Sequence, residues 1–423
     1  MKLLIDFGAS RIKSTISDKD NYVLSNFFET PGSSFNDFKG SIKFDFFKRS
    51  ILKHIDHFSE NGNVQIDEIL ACGEMHGFGL IPISNNYSSN NQYLKEFYSW
   101  RYCHIDSKES LKKLEKYDLY HKTCMTLREG LPSVNLYSII NKIGYDHSIF
   151  EDELKLISFP QVLSDDKTEY VNRSIAHSMG IYSLKNTVVE PFSSLKKIKF
   201  PTVIDDKRSK LGTILHSDTK IPITCFIGDL QAACLGSDLK DNELLLNIGT
   251  GSQIISIYDG AYTFGKELRP YFKNKLLECI THIPAGRHFI SWCEHITRNN
   301  KSISKNDFWK ILKGLEYEEI LEATRKIDFF FDNNININVD SKSDLKDFLA
   351  NLTKSFLHQY LDIIQKYSDN YKKIKISGGI INRIPSSKRY LSERLNKEIS
   401  IMENSEILTL IGLREMLSFQ NET

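Results

Sequence analysis

The sequence predicts an α/β protein of two similar domains, and three observations support this fold class. The chain has 423 residues, a length typical of two or three domains. Met1–Ser17 and Glu243–Tyr258 both show a strand, a turn rich in glycine and serine or threonine, and a second strand. Each of these hairpins would open a domain. Because Asp206–Ile221 is polar, we predict domains at 1–219 and 220–423 that enclose a central cleft.

The composition is that of an ordinary globular protein, with 40% hydrophobic and 26% charged residues. The formal net charge of +1 gives no electrostatic reason to expect a nucleic acid partner. Seven scattered cysteines without a C-x-x-C pair argue against a disulfide framework or a zinc site. Asp6 interrupts the first apolar run too early for a signal peptide, and no apolar window would span a bilayer. A cytoplasmic protein without a membrane partner is therefore expected.

The first hairpin consists of strands at Lys2–Ile5 and Ile12–Ser17. Asp6 and Gly8 of its turn and Lys13 of its second strand have the spacing D-x-G-x-x-x-x-K. Glycine lets the backbone approach an anion closely, and the carboxylate can hold water or Mg²⁺ near a phosphate. A plain hairpin turn is the alternative, because aspartate and glycine are common in turns.

A second candidate site follows the apolar strand Ile66–Cys72, where Met75 and His76 lie in a glycine-flanked turn. Loops beyond strand ends often carry ligand contacts, although His76 could also only cap the turn. Further on, Trp100 could pack against the apolar face of a sugar and Arg101 could donate to its hydroxyls; packing in a core is the alternative.

The stretch Cys225–Ser252 contains the strongest candidate residues. A strand at Ile223–Ile227 ends at Gly228, and Asp229 follows directly as a possible acceptor of a hydroxyl proton. A second buried strand, Leu244–Ile248, is broken by Gly249-Thr250-Gly251-Ser252, a turn whose N–H groups and hydroxyls could surround phosphate oxygens.

The other elements complete an α/β pattern of apolar runs and helical periodicity. His177 lies in the polar stretch Asn172–Leu184, where a surface loop is expected, and residues 301–340 suggest a helical surface region. Ser341 and Asp344 have the spacing of a helix cap before a one-sided apolar stripe. The remaining predictions are helices at Asp45–Phe58, Ser133–Lys142, Tyr390–Leu395 and Ile407–Leu417, and strands at Leu276–Ile283 and Lys373–Ser377.

Five short motifs carry a resemblance to a known family. In chain order they are DFGASRIK (Asp6–Lys13), CGEMHG (Cys72–Gly77), GDLQAA (Gly228–Ala233), NIGTGSQ (Asn247–Gln253) and ISGG (Ile376–Gly379). Together they resemble the FGGY carbohydrate kinases, which have the actin-like ATPase fold of actin, hexokinase and the heat-shock chaperone ATPases, with two ribonuclease H-like domains. PYFKNKLLECITHIPAG, at Pro270–Gly286, is most similar to the sedoheptulokinases, with the xylulokinases next.

The resemblance implies a role for each matching residue. Asp229 matches the catalytic base, and Asp6 and Asp229 would hold Mg²⁺. Substrate contacts would come from Met75, His76, Trp100, Arg101 and Asp229. The phosphate motifs would be Asp6, Gly8, Ser10 and Lys13 in the first domain and Gly249, Thr250, Gly251 and Ser252 in the second, and the adenosine motif would be Gly378, Gly379 and Asn382.

The function implied is transfer of the γ-phosphoryl group of ATP to a hydroxyl of a ketose, with Mg²⁺ as cofactor. Sedoheptulose is the expected substrate, and xylulose or another pentulose is the alternative. The protein would be a monomer or a homodimer.

The family usually has W-x-D-x-R where Trp100 is followed here by Arg101, so Arg101 would substitute for the missing arginine. This departure leaves open a sugar- or nucleotide-sensing protein that transfers no phosphate. A filament protein on the same fold is a third possibility.

Overall fold

The computed structural model describes the residues 1–8, 11–18, 22–29, 41–62, 64–73, 75–83, 93–94, 96–142, 153–166, 168–249, 251–258, 260, 266–330, 339, 341–366 and 371–418, with the backbone alone at 22–29 and 61–62. Its contacts divide the chain into two compact units. Unit 1 consists of Met1–Gly236, Tyr262–Leu276 and Ile407–Thr423, and unit 2 of Ser237–Ala261 and Leu277–Glu406. The contacts thus group residues 220–236 with unit 1, whereas the sequence-based boundary at 219/220 assigns them to the second domain.

The strands are β1 (Lys2–Phe7), β2 (Ile12–Ser17), β3 (Tyr22–Glu29), β4 (Ile42–Lys43), β5 (Glu68–Gly73), β6 (Phe78–Pro82), β7 (Glu96–Tyr98), β8 (Leu154–Ile157), β9 (Tyr170–Asn172), β10 (Ile198–Lys199), β11 (Thr202–Ile204), β12 (Gly212–His216), β13 (Thr219–Gly228), β14 (Glu243–Ile248), β15 (Ser252–Ile257), β16 (Glu267–Pro270), β17 (Leu276–Ile283), β18 (Lys373–Ser377) and β19 (Glu398–Ile401).

The α-helices are α1 (Phe44–Gly62), α2 (Ser107–Glu115), α3 (Leu119–Thr123), α4 (Pro132–Lys142), α5 (Phe159–Leu163), α6 (Arg173–Ser178), α7 (Asp229–Gly236), α8 (Gly286–Asn299), α9 (Lys305–Lys313), α10 (Tyr317–Glu322), α11 (Lys342–Ile364), α12 (Ser387–Leu395) and α13 (Leu408–Ser418). Short 3-10 helices occur at Phe192–Ser194, Ile381–Arg383 and Ser405–Ile407. Among the described residues, no helix has the length and apolar character needed to cross a bilayer.

Unit 1 is built on a sheet with the strand order β12-β13-β5-β1-β2-β3. β1 pairs antiparallel with β2 and parallel with β5, and β5 pairs parallel with β13. A smaller sheet, β10-β8-β6-β7-β4, and the pair β11-β9 complete the unit. Because the three central strands are parallel and buried, their carboxyl ends lie at one edge of the sheet.

Unit 2 repeats the same connectivity on its own strands, in the order β17-β15-β14-β18-β19. β14 pairs antiparallel with β15 and parallel with β18, and β18 pairs parallel with β19. In each unit the first strand of the sheet therefore forms a hairpin with the second strand. It also forms a parallel pair with a later strand, which is β5 in unit 1 and β18 in unit 2. The structure confirms that Met1–Ser17 and Glu243–Tyr258 each open a sheet of this kind with a hairpin.

The apolar stripe after Ser341 forms the long helix α11, as the sequence predicts. The Ser341 hydroxyl accepts a hydrogen bond from the Asp344 N–H at 3.1 Å, and the Asp344 carboxylate accepts one from the Ser341 N–H at 3.0 Å. This reciprocal pair satisfies donors that an α-helix leaves open at its start. The stripe is buried in the core of unit 2: Leu345, Phe348, Leu349, Leu352, Phe356, Tyr360 and Ile364.

One expectation from local polarity is wrong, and another, the helical surface region at 301–340, holds for helices α9 and α10 but not for every side chain. The stretch expected to be a surface loop contains helix α6, where the side chain of His177 is 1% exposed and contacts the Thr123 carbonyl through Nε2 at 2.7 Å. Residues 301–330 contribute Phe308, Leu312 and Ile320 to the core of unit 2. In both stretches tertiary packing buries side chains that the polar neighbours suggested would face water.

Helices α7 and α13 pack closely because each of them has a glycine where the two backbones meet. A Cβ atom at Gly412 would lie 1.9 Å from the Ala232 oxygen, and one at Gly236 would lie 2.0 Å from the Leu408 oxygen. Both neighbouring atoms belong to the backbone and cannot rotate away. Packing of α13 therefore fixes the position of α7, the helix that Asp229 begins.

We expect Gly412→Ala to separate α7 from α13 and to lower the free energy of unfolding by about 2 kcal/mol. Chemical denaturation followed by circular dichroism measures this change. Gly314→Ala is the control, because a Cβ atom there would come no closer than 3.4 Å to its neighbours. Equal stability of the Gly412→Ala and Gly314→Ala variants would contradict the close packing of these helices.

Candidate functional site

The parallel strands of unit 1 bring candidate residues together at one edge of the sheet. In the strand register, Asp6 on β1 is opposite Cys72 on β5, and Cys72 is opposite Ile227 on β13. Asp229 follows β13 after Gly228 and is the first residue of α7. The order of the strands therefore places the carboxylates of Asp6 and Asp229 on either side of Cys72.

The buried thiol of Cys72 lies close enough to both carboxylates for their negative charge to raise its pKa. Burial, then Asp6 and then Asp229, holds the pKa of the Cys72 thiol well above its ordinary range. A thiol in such surroundings stays protonated and unreactive at neutral pH. Cys72 is thus a protonated thiol between two acidic groups, and a hydrogen bond with Asp6 also contributes to its raised pKa.

Asp6 is 3% exposed and is held by residues from two other elements. Its Oδ2 atom lies 3.6 Å from Nζ of Lys13, its direct partner in the β1–β2 ladder, and accepts a hydrogen bond from the Thr409 hydroxyl at 2.7 Å. Its Oδ1 atom is buried and has no hydrogen-bond partner among the described residues. A buried carboxylate oxygen without a partner is unfavourable unless a ligand or water completes it.

Asp229 lies at the point where β13 turns into α7. Its Oδ1 atom accepts a hydrogen bond from the Leu230 N–H at 2.8 Å, which fixes the side chain at the start of the helix. A Cβ atom at the preceding residue, Gly228, would lie 2.3 Å from Oε1 of Gln231 and 2.4 Å from Sδ of Met75. Met75 therefore packs directly against the turn that carries Asp229.

His76 has a left-handed backbone, with φ of 68°, and is bound to helix α6. Its N–H donates to the Ser178 hydroxyl at 3.2 Å, and its Nδ1 atom lies 2.6 Å from the Ser178 carbonyl oxygen. Since a carbonyl only accepts, Nδ1 carries the proton. Nε2 then accepts from Arg269, whose Nη1 atom is 3.4 Å away.

Burial, together with the guanidinium groups of Arg269 and Arg128, holds the pKa of His76 well below its ordinary range. His76 is therefore neutral at physiological pH. In this state its Nε2 atom is an acceptor and cannot donate a hydrogen bond to a ligand.

Arg269 and Arg128 belong to an ionic cluster that the sequence patterns did not identify. The Glu267 carboxylate binds Arg269 at 2.6 Å through one oxygen and Arg128 at 3.2 Å through the other. Burial alone would raise the pKa of Glu267, but the two guanidinium groups outweigh it and lower that pKa to about 2. The available signal was the pair of charges in E-L-R-P of β16, an unusual composition for a buried strand.

The ionic cluster leads us to predict two effects of replacing Arg269, whose side chain is 2% exposed. Replacing Arg269 by Met should raise the pKa of His76, because a nearby positive charge is removed while the burial persists. It should also destabilise the fold by about 3 kcal/mol, because Glu267 loses one of its two ionic partners.

NMR titration of the imidazole ring and denaturant unfolding measure these two effects. Arg389→Met, which removes an exposed guanidinium bound to Glu318 and Glu393, is the control and should change neither quantity appreciably. A His76 pKa that does not move in the Arg269→Met protein would exclude electrostatic control by the cluster.

Trp100 and Arg101 come shortly after β7, and His76 comes shortly before β6. Because β6 and β7 are antiparallel, these residues lie at the same end of the pair. Phe78 is opposite Tyr98 in this antiparallel pair, so His76 and Trp100 flank the same end of the sheet. The guanidinium carbon of Arg101 lies 4.7 Å from the centre of the Trp100 ring. The arginine is therefore stacked on one face of the tryptophan.

In unit 2, three glycines cluster where β14 and β18 end and α8 begins. The Gly286 N–H donates to the Gly249 carbonyl at 3.1 Å, and the Ile380 N–H donates to the Ile248 carbonyl at 3.3 Å. At Gly378, where φ is 108°, a Cβ atom would lie 2.2 Å from the Ile248 oxygen. The backbones of three segments thus approach one another without intervening side chains.

The other predicted residues of unit 2 lie around this cluster. Gly251 and Gly379 are exposed, and a Cβ atom at either would meet no atom within 4 Å. Ser252 begins β15 and is 1% exposed. Asn382 lies in the following 3-10 helix, where its amide donates to the Ser405 hydroxyl at 3.1 Å.

Ser10 and Thr250, which the sequence assigns to the two phosphate motifs, lie outside the described residues. Gly8 follows β1 directly, at the same edge of the sheet as Asp6. Among the residues that the structure describes, no group of three or more histidine, cysteine, aspartate or glutamate side chains is arranged to hold a metal ion. The pair Asp6 and Asp229 therefore offers two carboxylates only.

The fold has clear relatives among solved structures. A ligand-bound xylulose kinase from Lactobacillus acidophilus matches with a TM-score of 0.72 and 15% identity, over 100% of this chain and 91% of that chain. A gluconate kinase from the same organism gives a TM-score of 0.72 and 16% identity over 100% and 90%. A Plasmodium falciparum glycerol kinase with ADP gives a TM-score of 0.68 and 13% identity over 98% and 89%.

No protein-family model matches the sequence, and comparison with curated proteins gives no match. At identities of 16% or less, the structural likeness establishes the fold. The chain has the α/β, two-domain actin-like ATPase fold, which confirms the fold class predicted from the sequence.

Proposed function

We propose that this chain is an ATP-dependent carbohydrate kinase of the FGGY family. The observation that carries the proposal is the placement of Asp6 and Asp229 at the carboxyl ends of two parallel strands, β1 and β13, that flank β5, with Met75 packed against the turn before Asp229. The fold shared over nearly the full lengths of xylulose, gluconate and glycerol kinases supports it. A solved glycerol kinase of this fold holds ADP, which supports ATP as the phosphoryl donor.

In this proposal Asp229 accepts the proton of a sugar hydroxyl. The hydroxyl oxygen then attacks the γ-phosphorus of ATP, the bond from that phosphorus to the bridging oxygen breaks, and ADP leaves. Catalysis of this kind depends mainly on positioning and on stabilisation of charge. A sugar hydroxyl would replace Arg269 as the donor to the neutral Nε2 atom of His76, which has one lone pair and no proton to donate.

Mg²⁺ would accompany ATP and neutralise phosphate charge. The residues present fit such an ion, since Asp6 retains a buried oxygen without a hydrogen-bond partner among the described residues. Mg²⁺ is commonly bound by one or two carboxylates with the phosphates and water completing its shell. Asp6 and Asp229 would supply these carboxylates.

The nucleotide contacts proposed in unit 2 come from backbone rather than from charged side chains. Gly249, Gly251 and Ser252 would face phosphate together with Thr250, and Gly378, Gly379 and Asn382 would face the adenosine. The space for a ligand lies at Gly251 and Gly379, where a Cβ atom would meet no atom within 4 Å and a phosphate or adenosine group could approach the backbone.

The proposed substrate is sedoheptulose, which would give sedoheptulose 7-phosphate. Its support is the sequence resemblance over Pro270–Gly286, and the alternative is xylulose or another pentulose, supported by the Met75-His76-Gly77 motif. A sugar- or nucleotide-sensing protein without transferase activity is the alternative of another class. Its support is the departure from W-x-D-x-R at Trp100, where Arg101 follows the tryptophan directly and stacks on its ring.

Release of ADP from Mg²⁺-ATP against a panel of acceptors tests the proposal. The panel contains sedoheptulose, D-xylulose, D-ribulose, L-fuculose, glycerol, gluconate and no acceptor. We expect release that depends on sedoheptulose and exceeds the acceptor-free rate by at least about 10²-fold. A maximum with D-xylulose would establish the pentulose alternative, and uniform release with sugar binding detected by calorimetry would favour the sensor.

A further inference from the structure

Helix α6, Arg173–Ser178, joins two parts of the candidate site through hydrogen bonds at its two ends. At its carboxyl end, Ser178 accepts from the backbone N–H and from Nδ1 of His76. At its amino end, the Ser174 hydroxyl accepts from the Gly228 N–H at 3.1 Å, one residue before Asp229. The position of this one short helix therefore affects both the substrate histidine and the turn that carries the proposed base.

Asp206 holds the amino end of the same helix. Its Oδ1 atom accepts from the Ser174 N–H at 3.0 Å and from the Ser174 hydroxyl at 2.9 Å, and its Oδ2 atom lies 3.2 Å from the same N–H. Asn172 adds a second tie, because its side chain accepts from the Phe226 N–H and donates to the Asp205 carbonyl. Helix α6 is thus held against β13 by the segment that carries Asp206.

The direction of the hydrogen bonds shows that the Ser174 hydroxyl connects the Asp206 carboxylate to the Gly228 N–H. A hydroxyl has one proton, and the Asp206 carboxylate receives it, so the lone pairs of Ser174 face the Gly228 N–H. Hydrogen bonds to an ionised carboxylate are about twice as strong as neutral ones. The charge on Asp206 therefore sets how firmly Gly228 is held.

We propose that Asp206 is a positioning residue, which acts through Ser174 and helix α6 to hold His76 and the Gly228–Asp229 turn in place. When Asp206 loses its negative charge, both contacts loosen and the rate of phosphoryl transfer falls. The activity readout rests on the proposed kinase function, whereas the contacts themselves do not.

The surroundings of Asp206 make its charge sensitive to pH. Burial raises its pKa to about 6, against the lowering by the hydrogen bonds from Ser174 and by Arg173, and Asp205 adds to the rise. The charged groups that act on it are Arg173 of α6 and Asp205 of its own segment, and Cys225 of β13 is a titratable group that Asp206 affects in turn. Burial and Asp206 together raise the pKa of the Cys225 thiol far above neutrality, so this thiol does not titrate in the same range.

Ionisation of Asp206 has opposite effects on the two properties: it lowers the stability of the fold and raises the activity. The folded state binds the Asp206 proton more tightly than the unfolded chain does. Its contribution to stability is present below the ordinary carboxyl pKa and is lost as pH rises through about 6. Ionised Asp206 thus favours activity at some expense of stability, which separates positioning from simple structural support.

Asp206→Asn tests this separation because it imitates the protonated carboxyl group. At pH 7.5 we expect kcat/KM for the sugar to fall by about 10–100-fold while the melting temperature stays the same or rises. The decline of the wild-type kcat/KM between pH 7 and pH 5.5 should disappear in the variant. Neither His76 nor Glu267 accounts for that decline, because their pKa values lie well below the ordinary histidine value and near 2, respectively.

Two further variants identify the path of the effect. Ser174→Ala removes the hydroxyl between Asp206 and Gly228 and should lower kcat more than it changes KM. Asp205→Asn removes a neighbouring exposed carboxylate, keeps the backbone oxygen that Asn172 uses, and should retain wild-type activity at pH 7.5. If Asp206→Asn keeps the acid decline, or loses the decline at an undiminished rate, the proposal is wrong.

Hydrogen exchange provides a readout that needs no substrate. The protection factors of the Gly228 and His76 amides should fall by about 10-fold in Asp206→Asn and remain unchanged in Asp205→Asn. Loss of protection in a protein that phosphorylates no acceptor would reject the kinase function and keep the positioning role. Unchanged protection at both amides would reject the positioning role.

Discussion

Replacing Asp229 by Asn should lower kcat by about 10²–10⁴-fold, which is the range expected when a general base is removed. The side-chain volume is kept, and the amide oxygen can still accept from the Leu230 N–H, so the start of α7 should remain intact. Sugar affinity should change little, because Met75 and His76 are held by Gly228, Arg269 and Ser178 rather than by the Asp229 carboxylate. Steady-state kinetics and calorimetry on the same preparation separate the two quantities.

Asp238→Asn is the matched control for this experiment. Asp238 is an exposed carboxylate of the same stretch, bound to Lys240, and its left-handed backbone is one that asparagine also tolerates. We expect normal kcat and normal sugar affinity in this variant. A turnover of the Asp229→Asn protein within a few-fold of wild type would remove Asp229 from the role of base.

Replacing Gly378 by Ala should have the largest effect on stability, with unit 2 losing about 4 kcal/mol of its free energy of unfolding. Two effects add: a φ of 108° is unfavourable for alanine, and the new Cβ atom would overlap the backbone of Ile248. Since Gly378 follows β18 and Ile248 ends β14, the two paired strands would have to separate at this edge. Nucleotide affinity should fall with them.

Gly379→Ala is the stability control, because a Cβ atom at the neighbouring glycine would meet nothing within 4 Å. Its unfolding transition should match that of the wild type. Thermal unfolding followed by near-ultraviolet circular dichroism measures both variants, and nucleotide binding can be titrated with a fluorescent ATP analogue. A Gly378→Ala protein as stable as Gly379→Ala would refute the backbone overlap.

The sequence was sufficient for the elements whose apolar pattern is local. The strand Ile12–Ser17 and the strands Leu276–Ile283 and Lys373–Ser377 have the predicted bounds, and the cap at Ser341 forms as its spacing indicated. Local patterns succeed here because strand alternation and helix capping depend on residues only a few positions apart.

The partners of the candidate residues could not be predicted in the same way. Thr409 binds Asp6 from the far end of the chain, and Arg269 reaches His76 across a separation of 193 residues. No local spacing encodes such contacts, which arise from the order of strands and the return of α13 to unit 1. The role of Asp206 could not be predicted either, because this residue lies in a polar stretch that suggested a domain boundary.

The measurement that tests the account most directly is phosphorus-31 NMR of the protein with Mg²⁺-ATP and sedoheptulose. The account predicts that a sugar phosphomonoester signal and ADP form in equal amounts, and that both are lost without sugar and in the Asp229→Asn variant. Formation of ADP with inorganic phosphate alone, or an unchanged ATP spectrum while calorimetry shows that sedoheptulose binds, would contradict it.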